Sequence, residues 1–167
     1  MDRFLVPDTS PLIALERLGL LHKFLDCATT SGWKIVITHQ VYNEIKTPLE
    51  LRMVVEEKVH NEEIVLEDSG NMAQSILLYP SLGPGETSVI LLNRDERYAQ
   101  ARTLFIIDDK LARRIAKDNG CNVIGTIGII KALKRKSYLS EQDLILLKNH
   151  LASIIYCSPD LINKLDA

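Results

Sequence analysis

No apolar run in the chain approaches the ~20 residues of a membrane span, so a spanning helix is excluded. Met1 to Pro7 holds no long apolar segment with a cleavage site, so no secretory signal is expected. Cysteine is sparse. Cys27, Cys121 and Cys157 are odd in number, far apart and without a CxxC, which excludes a disulfide scaffold. They fit reduced thiols and a cytoplasmic location. His22, His39, His60 and His150 make no ligand spacing such as HExxH. Gly83-Pro-Gly85 and Gly125-Thr-Ile-Gly128 do not form a GxGxxG after the first strand, and there is no Walker A motif. Repeats, low-complexity tracts and linkers are absent. Excess charge is absent too: 20 basic and 22 acidic residues leave a net −2 and a pI of about 6.1. Taken alone, that balance argues against a nucleic-acid binder.

What is present is an ordinary globular composition, 46% hydrophobic and 25% charged. The 167 residues are expected to form one domain, 1–167, able to bury roughly 70% of its unfolded surface without a staple. Apolar runs at Arg3–Pro7, Trp33–Thr38, Leu104–Ile107 and Asn122–Ile124 read as strands. Helical spacing follows each one. Ser10-Pro11 reads as an N-cap with proline at the first helical position, and Gly19, Gly32 and Gly120 as stops. Residues 49–79 read as mostly helical around a short strand at Ile64–Leu66. Glu86 is expected to open a helix reaching Ala101. Ser140 with Asp143 opens a last long helix, and Ile154–Cys157 reads as a fifth strand before a short terminal helix. Strands alternating with helices predict an α/β fold, a mainly parallel sheet of four to five strands covered on both faces.

In such a sheet ligands gather at the carboxyl ends of the strands. Asp8 follows the first strand, and Asp108 and Asp109 follow the Leu104–Ile107 strand. Glu44 lies in the helix after the second strand, and Glu86 opens the helix leading into the third. Singly, Asp8, Glu86 and Asp109 suit helix N-termini, and Glu44 suits a solvated helix face. Together they form a cluster of like charges that a divalent cation relieves. Hard oxygen donors suit one or two Mg²⁺ or Mn²⁺ ions, the cofactors expected here. Acids without His or Cys suit metal-assisted phosphoryl chemistry rather than acyl transfer. Paired Asp residues also mark receiver-like signalling domains, but there the pair follows the first strand.

Five segments carry a resemblance. Val6-Pro-Asp8-Thr-Ser10-Pro-Leu-Ile13, Val41-Tyr-Asn-Glu44, Leu82-Gly-Pro-Gly-Glu86-Thr-Ser and Ile106-Ile-Asp108-Asp109-Lys-Leu-Ala-Arg113 resemble, in order, the acidic elements of PIN-domain proteins. Val123-Ile-Gly125-Thr126-Ile-Gly128 resembles the segment after their fourth strand. In particular the chain resembles the prokaryotic PIN-like nuclease group of toxin type. The resemblance implies a three-layer α/β/α sandwich and a metal-dependent endoribonuclease with Asp8, Glu44, Glu86 and Asp109 as the catalytic and metal-binding quartet. Asp108 is then either a supporting partner or the ligand in place of Asp109. Where the family often carries Thr or Ser two places before this acid, the chain has Ile107. The resemblance further implies an RNA substrate, an antitoxin protein and a homodimer as partners. A binding module on the same fold, acting on RNA or protein without turnover, is the alternative.

Charge is segregated along the chain. Residues 41–70 hold three basic and eight acidic side chains, whereas residues 94–136 hold eleven basic and five acidic. Arg113, Lys131, Lys134 and Arg135 in the basic stretch are candidates for holding a phosphate backbone. Arg113, one helical turn past Asp109, is the best placed. Ser10 is a further candidate for contact with substrate.

Overall fold

The computed structural model describes residues 1–70, 78–155 and 159–165. Five strands form one sheet: β1 (Arg3–Pro7), β2 (Lys34–Thr38), β3 (Ile64–Glu67), β4 (Arg102–Ile106) and β5 (Val123–Ile124). Their order is β3-β2-β1-β4-β5, and every pairing is parallel. The central strands are continuous apolar runs, which a parallel sheet covered on both faces requires. Val6, Val36, Ile37 and Ile106 are completely buried.

Ten helices are described around that sheet. α1 (Thr9–Arg17) and α2 (Leu21–Thr30) link β1 to β2, and each ends at a glycine with positive φ, Gly19 at 69° and Gly32 at 74°. α3 (His39–Glu44) and α4 (Leu49–His60) link β2 to β3. α5 (Pro84–Leu91), a 3-10 turn at Leu92–Arg94 and α6 (Glu96–Ala99) precede β4. α7 (Lys110–Asp118) joins β4 to β5. α8 (Thr126–Arg135), α9 (Glu141–Ile154) and α10 (Pro159–Asn163) complete the chain. α1 and α2 pack with α8, while α3 packs with α5, which also meets α7. The result is the expected α/β/α sandwich with a fully parallel sheet. No helix among the described residues is long and apolar enough to cross a membrane.

Several local expectations are corrected. Ser10 is not the N-cap of α1. Asp8 takes that place in extended backbone, so Ser10 lies exposed in the first turn and Pro11 is buried at its third position. Proline is tolerated there because first-turn amides have no intrahelical partner. The helix expected from Glu86 to Ala101 opens earlier, at Pro84, and breaks at Asp95. Asp95 is extended, and its side chain accepts from the Arg97 amide to start α6 anew. The fifth strand is β3, at the sheet edge beside β2. The strand expected at Ile154–Cys157 does not begin at Ile154, which closes α9, and residues 156 and 157 lie outside the described residues. So does the 71–77 part of the stretch read as helical.

Candidate active site

The strand order reverses direction at β1. The chain first builds outward through β2 to β3, then returns to lay β4 and β5 on the other side of β1. A crevice opens at such a switch point, outside the carboxyl ends of the two strands that flank it. Here those strands are β1 and β4, paired in register from Arg3 with Arg102 to Pro7 with Ile106. Asp8 leaves β1 with its amide donating to the Ile106 carbonyl at 2.9 Å. Asp108 and Asp109 follow β4 after the single residue Ile107.

Asp8 is only 2% exposed, and its Oδ1 is buried without a hydrogen-bond partner. Its carboxyl is pushed up from 3.8 to about 7. Burial is the main cause; the Thr9 amide pulls the other way, and the charges of Glu86, Glu44 and Asp108 raise it further. Glu86 is also raised, chiefly by burial, with Asp109 and Glu44 adding repulsion and the Gly83 amide opposing. These acids therefore act on one another electrostatically although they come from four separate elements.

Glu44 closes α3 and is exposed, yet its carboxylate is fixed at both oxygens. Oε1 accepts from the Gly85 amide at 2.8 Å, and Oε2 from the Thr9 hydroxyl at 2.6 Å. A side chain at position 85 would overlap this carboxylate. Below it, the hydroxyls of Thr38 and Ser88 meet at 2.7 Å in a buried bond. Thr38 also caps α3 by accepting from the Val41 amide, and Ser88 donates to the Gly85 carbonyl at 2.6 Å. α3 and α5 are thus pinned together where they carry Glu44 and Glu86. Glu86 occupies the third position of α5 and accepts from the Gly83 amide at 3.0 Å.

The two aspartates after β4 have different surroundings. Asp108 is half-buried and accepts from the Thr126 amide at 2.7 Å and the Thr126 hydroxyl at 2.5 Å. Asp109 is exposed and caps α7, its Oδ1 accepting from the Ala112 amide at 2.8 Å. Ile107 is fully buried in the core, so the hydroxyl beside this acid pair comes from Thr126 instead. Arg113 reaches back to the same corner. A methyl group at Gly125 would stand 3.0 Å from Asp108 Oδ1 and 3.1 Å from Arg113 Nη1.

The remaining basic candidates all lie on α8. α8 starts beside Asp108 and runs away from it. At about 1.5 Å per residue, Lys131, Lys134 and Arg135 stand roughly 7 to 14 Å along its axis. Lys134 donates to the Leu165 carbonyl at 2.9 Å. Thr9, Thr38, Gly85, Ser88 and Thr126 were not singled out from the sequence. Thr9 and Thr126 could have been, since each directly follows a residue at the carboxyl edge of a strand.

Among the described residues, no three His, Cys, Asp or Glu side chains are gathered closely enough to hold a metal ion. The donor set nonetheless suits a hard cation: all oxygen, mutually repelling, with one buried carboxylate oxygen unpartnered. The architecture is that of an α/β sandwich whose acidic, oxygen-donor site lies at the switch point of a parallel sheet. A family model for the PIN domain matches residues 4–166, and the chain belongs to the PIN-domain family, a fold of nuclease type. No curated protein matches the chain.

Proposed function

We propose that the protein is a metal-dependent endoribonuclease that hydrolyses phosphodiester bonds at the carboxyl edge of β1 and β4. One observation carries the reading: the buried Asp8 carboxylate has an unpartnered oxygen and feels the charges of Glu86, Glu44 and Asp108. Asp8, Glu44, Glu86 and Asp109 are the residues to hold Mg²⁺ or Mn²⁺, with Asp108 beside them. When bound, such an ion activates water and offsets charge developing on the phosphate. Asp8 supplies a desolvated negative charge that water does not screen. Gly85 and Thr9 hold the Glu44 carboxylate in one orientation, so little rearrangement is needed on binding. Arg113 places a cation at the rim, where an approaching phosphodiester needs one.

The binding module is the second reading. It is favoured by the local hydrogen bonds that engage Glu44, Glu86, Asp108 and Asp109 and by the lack of a gathered three-acid group among the described residues. Purified protein incubated with single-stranded and structured RNA, with Mn²⁺, Mg²⁺ or EDTA, separates the two. The nuclease gives cleavage that EDTA abolishes and Asp8→Asn removes. Retained binding without cleavage on every substrate supports the module.

The toxin role belongs to the same proposal and rests on the resemblance of the sequence motifs alone. Expression in a bacterial host arrests growth if the reading holds, and Asp8→Asn relieves the arrest.

A further inference from the structure

We infer that Arg52, on α4, is a positioning residue for the Glu44 carboxylate. The inference rests on the nuclease reading for its consequence, but not for its geometry. α3 has only six residues, and Glu44 is its last. A helix that short is marginal by itself, and its final turn has few intrahelical hydrogen bonds to hold it. The chain turns sharply away immediately afterwards. Ile45 is out of helical conformation at ψ 84°, and the Lys46 amide donates to the Glu44 carbonyl at 2.9 Å.

Arg52 closes this end from the neighbouring helix. Its Nη1 donates to the Tyr42 carbonyl at 2.5 Å and approaches the Ile45 carbonyl at 3.5 Å, bracketing Glu44 on both sides. The guanidinium lies 3.6 Å over the Tyr42 ring. Its Nε donates to Glu56 Oε1 at 2.7 Å, and the Tyr42 hydroxyl donates to that same oxygen at 3.3 Å. Arg52 is thus held by a ring, a carboxylate and two carbonyls. A cation at a helix C-terminus also complements the dipole. A planar fork suits this role better than an ammonium, because stacking and hydrogen bonding use different faces of the same group.

Among the described residues, the hydrogen bonds of Arg52 go to Glu56 and to the Tyr42 and Ile45 carbonyls, not to Asp8, Glu86, Asp108 or Asp109. Its influence runs through the backbone of residues 42–45 to the Glu44 side chain, and from there to Gly85 and Thr9. Removing it frees the end of α3 and lets the carboxylate swing away from the site.

The Gly85 amide reports this directly, since it donates to Glu44 Oε1 at 2.8 Å. In metal-free protein, ¹H–¹⁵N spectra of Glu44→Ala fix how far the Gly85 resonance moves when its acceptor is lost. Arg52→Ala is expected to move it the same way, with Arg52→Lys intermediate. A folded Arg52→Ala protein with an unmoved Gly85 resonance overturns the inference. Calorimetric titration with Mn²⁺ then measures the consequence. Arg52→Ala is expected to weaken Mn²⁺ binding about tenfold, as for other residues that orient a ligand, with no further loss in a Glu44→Gln background. Equal additive losses in both backgrounds overturn the inference as well. Wild type that takes up no Mn²⁺ overturns the metal-dependent nuclease reading instead, while the Gly85 resonance still decides the role of Arg52.

Discussion

A carboxyl group buried with one oxygen unpartnered ionises at the expense of the fold. For Asp8 the group is harder to ionise folded, at about 7, than unfolded, near 3.8. Below the unfolded value both states are protonated and the term vanishes. As pH rises from about 4 to 7 the folded chain keeps more protons, so stability falls, and above 7 the whole penalty applies. Asp8→Asn is therefore expected to be more stable than wild type at pH 8, by roughly 2–4 kcal/mol, while losing RNA cleavage. Urea titrations at pH 5 and pH 8 check this: the gain should be small at the lower pH. Gly85 makes a second case. Its φ is not in the left-handed region, and a helical glycine ordinarily gives up about 1 kcal/mol relative to alanine. Gly85→Ala should nevertheless abolish cleavage, because the methyl group takes the space of the Glu44 carboxylate. In a Glu44→Gly background the same change should become neutral or stabilising, as thermal melts can show.

At the scale of elements, the site depends on two short helices that propensity alone would not sustain. α3 and the start of α5 are joined by the buried Thr38–Ser88 bond, with Thr38 also serving as the N-cap of α3. Thr38→Val keeps the shape but removes both bonds. It should cost about 1–3 kcal/mol and lower the melting temperature by roughly 2–10 °C. Cleavage should fall further than stability, since Glu44 loses its platform; activity measured well below the melting temperature separates the two effects. The same elements mark where sequence reading succeeded and stopped. Asp8, Asp108 and Asp109 were legible because each follows an apolar run that can only be a buried strand. α1 was shifted because Thr9, Ser10 and Pro11 all suit a first turn, and only the burial of Asp8 distinguishes the cap. The Asp95 break was hidden inside a stretch of helix-compatible residues. The grip of Gly85 on Glu44 spans 41 positions, and no local pattern encodes it.

For the whole molecule, net charge proved the least informative number. The −2 averages an acidic stretch at 41–70 with a basic one at 94–136. The carboxyl edge of the sheet draws on both stretches, with Glu44 from the first and Asp108, Asp109 and Arg113 from the second. RNA affinity should accordingly fall with rising salt despite the acidic pI. Arg113→Ala should reduce the slope of log affinity against log salt by about 1, which filter binding over a salt series measures. The close approach of the Glu44 carboxylate to Gly85 has a consequence beyond this one chain. Among related sequences, a side chain at position 85 is expected to displace a glutamate carboxylate at position 44 from its present place. The two positions should therefore drift as a pair, and a relative with alanine at the first and glutamate at the second marks a lineage in which the crevice has been rebuilt or abandoned.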